Sequence, residues 1–265
     1  MQPLCATIDG IGLIGPGLTS WPEARSILSG ASDYRPQATQ IPPALLLPPA
    51  ERRRAGTVVR LALAVGQQAL STQDSDQKNI PMVFASSGAD GLNCHEICTT
   101  LASSDRRLSP TRFHNAVSNA AAGYWSIATH DDAPSIVVSA FDTSFAAGLV
   151  EALCQVTIAR TPCLLIAYDA PYPEPLNSAR PILDSFAIAL LLRPERNARK
   201  AAIRAQLSAA QTNRLTHPAL ENLRHTIPAA RGLPLLQCLA SGQNGRVVLD
   251  YLTDSRLEIE IDMNL

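Results

Sequence analysis

The stretch Ser135–Arg160, SIVVSAFDTSFAAGLVEALCQVTIAR, constrains the fold more than any other part of the chain. Ile136, Val137 and Val138 form a β-branched run of the kind that makes a buried strand. Ser139–Ser144 is a small, polar elbow. From Phe145 to Ala159 the pattern turns helical and shows no polar face. Phe145, Leu149, Val150, Leu153, Cys154, Val156 and Ile158 surround the axis, and only Glu151, Gln155 and Thr157 interrupt them. A helix apolar on nearly every side must be covered on nearly every side. At about 16 residues it is short for a bilayer span, which takes ~20. The spacing therefore predicts a helix buried between two sheets. A strand, a tight elbow and a buried helix can aim a nucleophile, because the helix start stabilises negative charge. Here the elbow carries Phe141 and Asp142, and no thiol stands there.

The 265 residues carry a net charge of -1, with 46% apolar and 17% charged side chains. That suits one large domain or two fused ones with a substantial core. So thin a charged coat hints at surface covered by a partner. Near-neutral charge argues against nucleic acid as a partner. No apolar run reaches the ~18 residues of a membrane helix. The start, MQPLCATIDGIG, lacks the basic head and apolar stretch of a signal peptide. These features predict a cytoplasmic protein, and the six cysteines read as buried free thiols.

Cys5–Ile8 reads as a strand and Gly10–Ile14 as a glycine bend. Trp21–Ser29 reads as a helix between Ser20 and Gly30. Proline-rich Tyr34–Pro49 is irregular, and Ala50–Leu70 is one helix with Arg52, Arg53 and Arg54 crowding its start. Ser71–Asn79 is a polar loop. Ile80–Ala85 is a strand, Leu92–Leu101 and Asn115–Ala128 are helices, and Cys163–Tyr168 and Phe186–Leu192 are strands. This alternation predicts a mostly parallel sheet with helices on its faces. Further on, Ala198–Ala210 and His217–His225 read as short helices, and Arg246–Tyr251 with Arg256–Ile261 as a terminal hairpin.

Three motifs have competing readings. Gly10-x-Gly12-x-x-Gly15 matches a dinucleotide fingerprint, but Pro16 and Gly17 follow it where a helix should start, so a glycine bend is preferred and no cofactor is expected. Cys94-His95-x-x-Cys98 suggests zinc but lacks a second ligand group, so no metal is expected there. Positive charge at a helix start is unfavourable, so Arg52–Arg54 is either a solvated face or a site for an acidic partner.

The pieces, in this order, resemble the condensing-enzyme family, the β-ketoacyl synthases. The resemblance covers about residues 4–193. It rests on IDGIGLIGPGLTSWPEARSILSG, on Ser86-Ser87-Gly88-Ala89-Asp90-Gly91-Leu92, on LSPTRFHNAVSNAAAGYWSI and on Arg180-Pro181-Ile182-Leu183-Asp184-Ser185-Phe186. It implies an α/β, thiolase-like layered fold (α-β-α-β-α) in a single domain, 1–265. The N-terminal synthase-like half, 1–195, is complete, and the C-terminal half, 196–265, is much reduced. Aligned through Ser109–Ser144, the family's nucleophilic cysteine falls on Phe141. A phenyl ring cannot attack a thioester, and losing a covalent nucleophile costs ~10⁶ in turnover. His217 and His225 do not match the family's catalytic histidines.

A truncated, nucleophile-free homologue resembles the family's chain-length factors, and in particular those of aryl polyene and xanthomonadin-type systems. The resemblance implies a non-catalytic subunit paired with an active β-ketoacyl-ACP synthase. It also implies an acyl carrier protein as a further partner. Ala89, Glu96, Arg112, Phe113, Ala116, Phe141 and Asp142 would then lie at the tunnel or interface. Asp142 has a plainer reading as a helix cap shared with Thr143 and Ser144. Two alternatives remain at this stage. One is a stand-alone acyltransferase using Ser144 or Thr143 with His114 or His130 as base. The other is a homodimeric scaffold.

Overall fold

A computed structural model describes residues 3–71, 79–194 and 200–263. The first part of the chain gives β1 (Leu4–Ile14), α1 (Trp21–Leu28), α2 (Pro49–Arg54), α3 (Thr57–Leu70), β2 (Met82–Ala85) and α4 (Gly91–Ala102). α5 (Pro110–Asn115), α6 (Ala120–Thr129), β3 (Ser135–Val138), α7 (Ser144–Ala159), β4 (Cys163–Asp169), α8 (Leu176–Ala179) and β5 (Phe186–Arg193) follow. The last part holds β6 (Ala201–Ser208), α9 (Pro218–Thr226), α10 (Leu233–Ser241), β7 (Gly245–Asp250) and β8 (Arg256–Asp262). The described strands form one eight-stranded sheet in the order β3-β2-β4-β5-β1-β6-β8-β7.

The sheet corrects two expectations. Only β3, β2 and β4 run parallel; every other pairing is antiparallel, so the sheet is mixed rather than mostly parallel. There is also one sheet among the described residues, not two. β1 is the hinge of this arrangement. It pairs with β5 along Thr7–Ile14 on one side and with β6 along Leu4–Ile8 on the other.

The expected glycine bend is part of β1. A register shift between Ile8 and Gly10 lets the strand continue as a bulge. The glycines serve packing: a Cβ at Gly12 would collide with the carbonyl of Val65 on α3, and one at Gly15 with the ring of Phe186. The dinucleotide-like spacing thus records how closely a helix and a ring approach the strand.

Two hydrophobic clusters cover the two faces. On one, α1, α7, α9 and α10 pack with Ile8, Val83, Leu165, Ile188, Ile203 and Ile259. On the other, α3 and α6 bury Val59, Leu63, Tyr124 and Trp125 against Phe84, Ile166 and Leu191. β5 is buried from Phe186 to Leu192. α7 is less enclosed than its sequence suggests. Phe145, Leu149, Ala152, Leu153 and Val156 are buried, while Val150 and Cys154 are half-buried and Ile158 is 78% exposed. The outer end of its apolar stripe, at Ile158, is open among the described residues.

Four further differences have local causes. The helix expected over 50–70 is two helices, broken where Ala55 turns extended and Gly56 starts α3. The arginines therefore sit in the last turn of α2, where the helix dipole favours them, rather than at a start. The helix expected over 115–128 is α5 and α6; Ser109 accepts from the Arg112 amide and starts helix at Pro110, five residues early. The segment expected as a helix over 198–210 is β6, with 198–199 outside the described residues. Its alternation, Ala201, Ile203 and Ala205 in and Arg204 and Gln206 out, has period two, and pairing with β1 and β8 overrides alanine's helical preference. The strand expected as buried, β3, is the sheet's end strand, and Ile136 is 43% exposed.

The expected loop over 71–79 falls mostly on 72–78, outside the described residues. The terminal hairpin is present as β7 and β8. Among the described residues, no helix is long and apolar enough to cross a membrane.

Gly12→Ala is expected to cost about 3 kcal/mol, the upper end of overpacking against a rigid neighbour. Gly123→Ala, which meets open space on α6, is expected to gain ~0.5–1 kcal/mol. Urea titration of the two variants reads both signs.

Candidate functional site

The elbow between β3 and α7 is tied shut by its own polar groups. The Ser144 hydroxyl donates to the Phe141 carbonyl at 2.8 Å and accepts from the Ala140 amide at 3.0 Å. The Thr143 hydroxyl donates to the Ala140 carbonyl at 2.9 Å, and the Ser139 hydroxyl to the Ser86 carbonyl at 2.7 Å. At the tip stands Phe141, with φ +52° and its side chain 64% exposed. A left-handed backbone costs a bulky residue ~1–3 kcal/mol and persists only where the surroundings over-determine it.

The two hydroxyls weighed as nucleophiles are thus spent on the turn. Neither has a base. His114 is exposed and meets the ring of Tyr124 edge-on at 6.5 Å, and His130 is exposed at the end of α6. His217 lies against Tyr34 at 5.4 Å, and His225 is exposed on α9. Among the described residues, no hydrogen bond joins a histidine to the elbow.

A ladder of alternating charges fills the space beside the tip. Arg180 donates to Asp142 Oδ1 at 2.6 Å and to the Tyr172 hydroxyl at 2.5 Å. Its guanidinium carbon lies 3.9 Å from the centroid of the Phe141 ring, a cation–π contact. Arg231 binds Asp142 Oδ2 at 3.1 Å and Asp250 at 3.2 Å. Arg224 binds Asp250 at 3.2 Å and grips Glu221 with both Nε and Nη2, at 2.8 and 2.6 Å. These hydrogen bonds hold the Glu221 carboxyl below its ordinary range. Asp142 is therefore no helix cap; α7 has no side-chain cap, and the carboxylate bridges two arginines instead.

Beneath the ladder, Asp169 ends β4 fully buried. It accepts from the Ser87 amide at 2.8 Å, the Ser87 hydroxyl at 2.7 Å and the Ala229 amide at 2.8 Å. Burial pushes its carboxyl up to about 6, against the lowering effect of those bonds.

The remaining expected positions lie in the loop before α4, on α4, on α5 and just after it. Ala89 turns with φ +48° in the loop capped by Asp90, which accepts from the Asn93 amide at 3.0 Å. Glu96 on α4 and Arg112 on α5 form an ion pair. Phe113 is 64% exposed, and Ala116 ends α5. Tyr172 links this loop to the elbow. Its hydroxyl meets Ser87 at 3.2 Å, and its ring fills the space a Cβ at Gly88 would need. The structure thus joins Glu96 to Arg112 and Phe141 to Asp142. The sequence pointed to Arg180 only as part of a turn motif. Ser87 entered only as part of a small-residue loop motif, and Asp169, Tyr172, Arg224, Arg231 and Asp250 were unmarked, since their spacing along the chain carries no periodic signal.

α4 has no buried residue within the chain. Half of the exposed large apolar side chains among the described residues fall between 92 and 141: Leu92, Leu101, Phe113, Val117, Ile127, Ile136 and Phe141. Cys94 and Cys98 are exposed on α4, and the Cys94 thiol is raised by partial burial and by Cys98. Among the described residues, no three His, Cys, Asp or Glu side chains group in a way that could hold a metal ion. Arg52 donates to the carbonyls of Leu45 and Leu47, both at 2.9 Å, so it is engaged in holding the chain before α2.

The sequence pattern of the β-ketoacyl synthase N-terminal domain matches residues 27–250. No curated protein matches the chain. Among solved structures, it is similar to a chain of the ketosynthase ApeO in complex with its chain length factor ApeC from Xenorhabdus doucetiae. That match has 20% identity and a TM-score of 0.74, and covers 97% of this chain and 99% of that one. It is also similar to a chain of AntDE:AntF, described as a type II acyl-carrier protein in complex with its ketosynthase. There the identity is 12% and the TM-score 0.71, with 99% of both chains covered. A β-ketoacyl synthase from Burkholderia phymatum STM815 matches at 15% identity and a TM-score of 0.57, over 86% of this chain and 71% of that one. These likenesses show the thiolase-like ketosynthase fold.

Two outcomes test the ladder. Asp142→Ala leaves two arginines facing each other. Removing one partner of a buried pair costs ~3–5 kcal/mol, and the 38% exposure of this carboxylate reduces that to about 1–2 kcal/mol by guanidinium chloride titration. Asp169 titrates near 6 folded and near 3.8 unfolded, so the folded chain holds more protons between those values. Its contribution to stability is full below about pH 4, falls as pH rises to about 6, and is flat above. Asp169→Asn is expected to remove that slope from a pH series of denaturation midpoints.

Proposed function

We propose that this chain, which belongs to the β-ketoacyl synthase family, is a non-catalytic chain-length-factor subunit that pairs with a cysteine-bearing β-ketoacyl-ACP synthase. The observation that carries the reading is the elbow itself. Its backbone keeps the left-handed tip that would present a nucleophile, while the tip residue is Phe141 and the adjacent carboxylate is neutralised by Arg180 and Arg231. A phenyl ring forms no acyl intermediate. The role left to such a chain is to supply shape and surface.

The second support is the uncovered side. β3 offers one free edge, and α4 and α5 carry the exposed side chains Leu92, Leu101 and Phe113. Open sheet edges and contiguous apolar surface mark association sites. We assign Ala89, Glu96, Arg112, Phe113, Ala116, Phe141 and Asp142 to the interface and to the wall of the partner's acyl tunnel. The chain acts as a single synthase-like domain in the cytoplasm, serving aryl polyene-type polyketide or fatty-acid-like assembly, with an acyl carrier protein delivering to the pair. An obligate pairing of this kind buries above ~2,000 Å² in total.

Co-expression with a cysteine-bearing ketosynthase of the same organism, followed by size exclusion at micromolar concentration, is expected to give one 1:1 peak. Two separate peaks, or a symmetric dimer of this chain alone, sink the proposal. Carbon dioxide release from malonyl carrier by the chain without a partner would count for an independent enzyme. In the complex, Ala116→Phe is expected to shorten the products measured by mass spectrometry; unchanged lengths remove Ala116 from the tunnel wall.

A further inference from the structure

We infer that Phe141, held by Arg180, is the aromatic anchor of the subunit interface. This rests on the chain-length-factor reading above and assigns the elbow tip a role in binding in place of the chemistry it lacks. The occupant is the ketosynthase partner, a subunit of the same fold that lies along the open edge of β3.

The argument starts from an energetic oddity. A bulky aromatic residue occupies a left-handed position with most of its ring in water. Both features are unfavourable for the isolated chain. Nothing in the folding of this chain requires a ring there; glycine or asparagine would hold the same turn at less cost. The surroundings nevertheless fix the ring in one orientation. Arg180 stacks on it at 3.9 Å, and that guanidinium is itself clamped by Asp142 at 2.6 Å and Tyr172 at 2.5 Å. The exposed ring is thus pre-organised, with its rotamer entropy already spent before any partner arrives. Exposed, pre-organised aromatic and arginine groups are the side chains that dominate association energies.

Phe141 follows the last residue of β3 by three positions, so its Cα lies within ~11 Å of Val138. On the chain-length-factor reading, the subunit that covers the free edge of β3 is the partner within reach of the ring. Ile136, 43% exposed on that edge, extends the same surface.

The test uses the full chain co-expressed with the cysteine-bearing ketosynthase, and separates folding from binding. Phe141→Gly is expected to leave the melting temperature of the free chain unchanged or raised, because glycine relieves the left-handed strain, and to weaken the complex at least tenfold by sedimentation or surface-binding titration. Phe141→Asn, also tolerant of that backbone, is expected to behave alike and stands in should the glycine variant misfold. Phe141→Tyr keeps the ring and is expected to bind within a factor of three of wild type. A drop in melting temperature with wild-type affinity assigns the ring to folding and overturns the inference. Wild-type affinity in both small variants overturns it as well. Failure of the wild-type chain to bind any ketosynthase instead overturns the subunit reading on which it rests.

Discussion

Asp142 is the group on which the arrangement turns. Its two oxygens take an arginine from each part of the chain, Arg180 before β5 and Arg231 after α9. The second of these continues to Asp250 at the end of β7, and Arg224 carries the alternation to Glu221. Each charge in this row is offset by its neighbours, which is the condition under which partly buried ions are tolerated. Loss of one member therefore affects more than one pair. The row also explains how a short second part of the chain stays attached. It contributes β6, β8 and β7 to the sheet edge and Arg231 to the elbow, so backbone pairing and charge pairing both hold it.

The same row limits what can approach the elbow as much as the absent thiol does. The start of α7 is a place of positive potential, suited to stabilise an anion. Here the Asp142 side chain already stands there, paired with two guanidiniums. A thioester carbonyl approaching the tip meets a phenyl ring, a stacked arginine and a satisfied ion pair. The hydroxyls of Thr143 and Ser144 point into the turn and bond its carbonyls. Restoring a cysteine at one position would not recreate the histidines or clear the ladder.

What the sequence made legible divides along the physics. Local and periodic features were readable: α7 from its apolar run, β4 and β5 from continuous aliphatic stretches, the terminal hairpin from alternation, and the elbow from small polar residues between them. The misread elements were decided by partners distant in sequence. Residues 201–208 are rich in helix formers, yet pairing with β1 and β8 makes them a strand. Gly10, Gly12 and Gly15 looked like a bend because their purpose, room for α3 and for Phe186, lies far along the chain. The site divided in the same way. Phe141 and Asp142 were marked by their place in the elbow, whereas Arg231 and Asp250, 89 and 108 positions beyond Asp142, left no local trace.

The exposed side of the molecule closes the argument from composition to assembly. α4 is a 12-residue helix with no buried residue, capped by Asp90 and braced by one ion pair to α5. An isolated helix of that length is marginal in water, and packing of an apolar face normally holds it. Within this chain that face has little to pack against. β3 is an end strand without the lysines or prolines that usually protect one. On the outer side of α7, Val150 and Cys154 are half-buried and Ile158 is open. A chain with 17% charged residues spends few of them on these surfaces. Among the described residues a helix, a strand edge and an aromatic ring are left open, and surface of that kind is suited to association.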